Sequence, residues 1–111
     1  MSEQTATLFH VESTLTEGAP APSSILSQSL VQNPVVKAVR FVFAKGQELS
    51  EHTASVPALL HQVSGTSRWG LGEETTEAKP GDWAYLPANL KHSLVASEDC
   101  VILLLLLKRG E

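Results

Sequence analysis

Apolar positions along this chain fall in short β-type runs broken by turn residues, and no window repeats apolar residues three and four apart for three helical turns. Helix is therefore expected to be scarce. Residues 24–31 and 35–43 are two such runs separated by Asn33-Pro34, and the second is rich in Val and Phe, so the two are expected to pair. A short segment around Glu48 follows Lys45-Gly46, then runs at 56–63 and 66–71 flank Ser64-Gly65. Gly72-Glu73 marks the next turn before 75–78, and Lys79-Pro80-Gly81-Asp82 is a strong turn tetrad. Residues 83–86 and 93–96 flank Pro87-Ala88-Asn89, and 100–107 is the last run.

About nine short strands at this spacing predict an all-β antiparallel sandwich or barrel, because parallel strands would need crossover helices that the chain does not supply. The last run contains Val-Ile followed by five leucines, apolar on both faces of its pleat. Something must cover its outer face. A second copy in a two-fold homodimer is the expected cover, and extra strands from the N-terminal segment are the alternative.

Composition narrows the class. At 111 residues the chain has room for one domain, with residues 1–33 expected as an N-terminal arm with the first strands and 34–111 as the barrel. Apolar residues make up 42% and charged residues 18%, which suits a globular core and not a disordered chain. The net charge of −4 provides no basic stripe, so nucleic acid is not an expected partner. Cys100 is the only cysteine; it excludes an internal disulfide, reads as a small buried hydrophobe, and fits a cytoplasmic location. Residues 1–11 lack the pattern of a signal peptide, and the apolar run at 101–107 is far short of the roughly 18 residues of a membrane helix, so no membrane partner is expected. Residues 18–24 read as a loop.

Two stretches carry a resemblance. Gly46, His52 after five intervening residues, and Gly65 resemble the first cupin motif, in which a glycine, His-x-His, a glutamate and a second glycine recur at set intervals. Its second histidine falls at Ala54 and its glutamate at Ala58. Gly81, Pro87, Asn89 in the usual glycine place, and His92 resemble the second motif, whose closing asparagine is Ala96 here. The chain is thus similar to small single-domain, RmlC-like cupins of the conserved-barrel kind, with a degenerate first motif. That resemblance implies a jelly-roll barrel with His52 and His92 near one mouth, where cupins usually hold a divalent metal such as zinc, iron, manganese or nickel.

A metal set would need a third ligand, since zinc takes three or four protein ligands and the iron triad of two histidines requires a carboxylate. His61 is the candidate, but pleat alternation places it opposite Ala58, Leu60 and Gln62, facing away from the interior unless a bulge reverses it. Gln62 is then the inward polar residue. Arg40 sits among small apolar neighbours; facing inward it would anchor an anionic ligand, while an outward arginine packing its stem on a sheet is commoner. Tyr85, with Trp69 and Trp83, supplies the large aromatics of a core or a pocket wall. Three functions follow. One is a small-molecule-binding module using His52, Gln62, His92, Arg40 and Tyr85 without metal. Another is a metal-dependent oxygenase or isomerase with a reduced ligand set. The third is metal-free acid–base catalysis such as sugar epimerisation, for which no catalytic residue is assigned.

Overall fold

A computed structural model describes residues 24–108, so His10, the loop expected at 18–24 apart from Ser24, and most of the expected N-terminal arm lie outside the described residues. Nine strands follow one another: β1 (Ile25–Gln32), β2 (Val36–Phe43), β3 (Glu48–His52), β4 (Ala58–Ser64), β5 (Ser67–Leu71), β6 (Glu74–Ala78), β7 (Trp83–Leu86), β8 (His92–Ala96) and β9 (Cys100–Leu107). No helix occurs among the described residues, so none is long and apolar enough to cross a membrane.

Every pairing is antiparallel. One sheet runs β1-β2-β9-β4-β7 and the other β3-β8-β5-β6. Strand β2 pairs with β9, β3 with β8, β4 with β7 and β5 with β6, so each pair nests inside the one before it. A long hairpin is thereby wound up into a double-stranded β-helix, the jelly-roll architecture. Its tip is the β5–β6 turn at Gly72, which takes a positive φ of 65° that glycine accepts without strain.

Alternation along the strands builds the core. Phe43, Ala58, Leu60, Leu86, Cys100 and Ile102 from the five-stranded sheet meet Trp69, Ala78, Leu94 and Ala96 from the four-stranded one. Residues paired directly across β9 divide the five-stranded sheet cleanly: Ile102 and Leu104 face inward, while Leu103 and Leu105 face outward with His61 and Leu59. The β9 run is apolar on both sides of its pleat. Its outward Val101 is fully buried and Leu103 and Leu105 are half-buried.

Candidate functional site

The site begins with an irregularity. Leu49 lies opposite Leu94 and His52 opposite His92, so β3 takes three steps where β8 takes two. This extra residue is a β-bulge. Strict alternation would send His52 to the face opposite Leu49; the bulge turns it inward beside His92, which alternation from Leu94 already places there. The two imidazoles meet edge to face, with centroids 4.2 Å apart and planes at 61°.

Both rings are anchored in the same way. His52 Nδ1–H donates to Ser50 O at 2.8 Å, and His92 Nδ1–H donates to Leu90 O at 2.9 Å. A carbonyl oxygen can only accept, so Nδ1 carries the proton on each ring and the neutral imidazole keeps a bare, accepting Nε2. The mouth of the barrel therefore presents two oriented acceptors. Beneath them is a cavity of about 20 Å³ lined by Phe41, Leu49, Leu60, Leu94 and Leu104, with Ser93 at its side. That is room for roughly one water-sized group. No charged side chain lines it.

The residues present do not fit the resident metal that cupins usually carry. Ala58 is 2% exposed within the core, and neither it nor Ala54 offers a donor atom. Among the described residues no group of three or more His, Cys, Asp or Glu is placed to hold a metal ion. Two imidazoles fall short of the three or four ligands that a closed zinc site needs.

The remaining candidates stand apart from the histidine pair. Gln62 faces inward and is wholly buried, but its amide is occupied: Ser67 Oγ–H donates to Oε1 at 2.6 Å, and Nε2 donates to Ser64 O at 3.0 Å. His61 faces outward, stacked on Trp83 at 4.0 Å with Nδ1–H donating to Asp82 O at 3.1 Å. Arg40 is also outward, across from Leu103 and Gln28; it is 4% exposed and Nη1 donates to Gln28 Oε1 at 3.3 Å. Tyr85 is outward and 59% exposed. Of the candidate ligand-binding residues, His52 and His92 come together at the barrel mouth, while Gln62, Arg40 and Tyr85 stand apart from them. Sequence reasoning passed over Phe41, Leu49, Leu60 and Leu104, whose shared cavity depends on cross-strand registers that periodicity alone does not contain. A second cleft, of about 230 Å³, opens between edge strands β6 and β7 and is lined by Trp69, Thr76, Glu77, Asp82 and Trp83.

Solved structures with the same nested barrel give this architecture its class. A conserved protein of unknown function from Streptococcus pyogenes is 28% identical, with a TM-score of 0.75 over 82% of this chain and 80% of that one. A cupin superfamily protein from Desulfitobacterium hafniense is 22% identical, with a TM-score of 0.77 over 81% and 83%. A cupin 2 conserved barrel domain protein from Leptotrichia buccalis is 30% identical, with a TM-score of 0.75 over 80% of this chain and 43% of that longer one. The chain is a cupin in fold. No protein-family model and no curated protein matches its sequence.

Proposed function

We propose that this cupin binds a small molecule at the barrel mouth, holding a hydrogen-bond donor of the ligand between His52 Nε2 and His92 Nε2 without a resident metal. The observation that carries this reading is the pair of imidazoles whose Nδ1 protons are both committed to backbone carbonyls. Two such acceptors, on rings whose centroids are 4.2 Å apart, suit a hydroxyl, amine or amide head. The cavity below admits only that head, so the body of the ligand rests on the rim of β3 and β8, where His52 is exposed. The apolar floor strengthens such bonds by excluding water.

The same two bare nitrogens favour a second reading, a divalent cation held weakly with solvent or substrate completing its shell. One experiment separates the two. Protein purified without a histidine tag is assayed for metal, and its thermal midpoint is followed against panels of alcohols, amines and amides and against zinc, iron, manganese and nickel salts. Stabilisation by an organic member, lost in both His52→Ala and His92→Ala, supports the binding module. Near-stoichiometric metal that both variants lose replaces it with the metal reading, and a response that survives both substitutions places the ligand elsewhere.

A further inference from the structure

Trp69 is 2% exposed, and its indole Nε1–H is buried with no hydrogen-bond partner among the described residues. An indole nitrogen can only donate, and a buried donor left unmet is costly enough that native proteins rarely keep one. The core offers no acceptor. The residues clustered with Trp69, such as Phe43, Ala78, Leu86, Leu94 and Ala96, are apolar, and the buried Gln62 and Ser67 are bonded to each other. Trp69 also meets a different surface, the wall of the cleft of about 230 Å³ between β6 and β7. That cleft is the side from which an acceptor can reach the ring.

The order of strands makes the cleft. β6 and β7 are joined by Lys79-Pro80-Gly81-Asp82, yet each is the last strand of its own sheet, so the gap between them is not closed by pairing. Leu71, Ala78 and Ala84 continue the apolar wall beside Trp69. Glu77, Asp82 and Trp83 stand at the exposed rim, and no basic side chain lines the cleft. The rim is ordered: Asp82 Oδ2 accepts from the Lys79 backbone N–H at 2.8 Å, and Trp83 stacks on His61 with ring centroids 4.0 Å apart. Two carboxylates and an indole attract a cation, by charge and by the negative face of the ring.

We propose that this cleft is a second binding site, taking a small organic cation that carries a hydrogen-bond acceptor, of the amino-alcohol or amino-amide class. The acceptor receives the Trp69 Nε1–H at the floor, and the ammonium stays at the rim beside Glu77, Asp82 and Trp83. Exposed carboxylates alone hold a cation weakly and without choice. The unmet indole donor supplies the choice, because a cation lacking an acceptor leaves it unmet. Size sets an upper bound, since the cleft falls below the roughly 300 Å³ at which pockets for drug-sized ligands begin. It shares no lining residue with the cavity beneath His52 and His92, so the two sites stand or fall separately.

Trp69 and Trp83 are the only tryptophans, so the proton–nitrogen spectrum of the nitrogen-labelled full chain contains two indole signals, and a Trp83→Phe variant identifies that of Trp69. Ethanolamine and glycinamide should shift the Trp69 signal downfield and saturably. They should do so at concentrations several-fold below those required of acetamide, which lacks the charge, or of methylammonium, which lacks the acceptor. Glu77→Gln should weaken both probes several-fold. Trp69→Phe, followed by calorimetry, should erase the advantage of glycinamide over methylammonium. A Trp69 signal that no probe moves, as a water resident on Nε1 would leave it, overturns the proposal. So does a shift that acetamide or methylammonium produces equally well, or one that disappears in a His52→Ala, His92→Ala double variant, which would assign the probe to the barrel mouth. The wild-type titration with these four compounds decides the matter even where Trp69→Phe does not fold.

Discussion

A methyl group at Gly65 would press on the carbonyl oxygen of Asp99 and stand 2.6 Å from Cys100 Cβ, at a backbone φ of 70°. Gly65→Ala should therefore lower stability by about 3 kcal/mol, combining a left-handed backbone penalty with a clash against main chain that cannot step aside. Asn89 has the same φ of 70°. Asparagine tolerates that conformation, and the backbone N–H of Asn89 donates to Ala54 O at 2.7 Å, tying the loop before β8 to the loop after β3. The family motif places glycine here, and the structure shows why asparagine can replace it. Asn89→Gly should change the urea midpoint little, while Asn89→Val should cost about 1–2 kcal/mol. Equal losses in the two variants would mean that the side-chain amide matters and the backbone angle does not.

Strands bring these residues to function, and two bulges decide where their side chains go. On β3 the bulge between Leu49 and His52 produces the histidine pair. Nothing in the local alternation of Glu-Leu-Ser-Glu-His announces it; the residue spacing from Gly46, read as a motif, located His52 where the pleat would have sent it outward. On β4 alternation sufficed, placing Gln62 inward and His61 outward up to the second bulge, between Gln62 and Ser64. What alternation could not supply was the partner. Gln62 bonds across that bulge to Ser64 O and accepts from Ser67 on the neighbouring sheet, while its backbone joins Gly81 and Asp82. A buried amide so used links the two sheets. Gln62→Ala should cost about 3 kcal/mol, since it opens a void and strands the Ser67 hydroxyl, whereas Ser67→Ala should cost about half as much. If the two losses, measured by chemical denaturation, combine in the double variant to less than their sum, the two residues act as one unit.

At the scale of the whole molecule, nesting puts the last strand in the middle: β9 lies between β2 and β4, and its first residue, Cys100, is fully buried beside Phe43. Burial pushes the Cys100 thiol up from 9.0 to about 11; the Gln62 hydrogen bond pulls partly back, and the charges of Asp99 and Glu98 add to the rise. The folded barrel thus holds this proton across a pH range in which the unfolded chain has released it. The stability it contributes is complete below pH 9 and falls as pH rises towards 11, because there the unfolded state binds fewer protons than the native one. Two pK units correspond to about 2.7 kcal/mol at the alkaline end. Cys100→Ala removes the titrating group and should be less stable than wild type near neutrality because of the cavity it leaves. Guanidinium midpoints taken at successive pH values should then show the gap between the two proteins closing from pH 9 upwards. The native thiol should also resist alkylation at rates that the unfolded chain permits, since only the thiolate reacts and ionisation at this site requires opening the centre of the five-stranded sheet. A constant gap from neutrality to pH 11 would show that Cys100 is not sealed, and that the strand at the middle of the barrel opens far more readily than its burial implies.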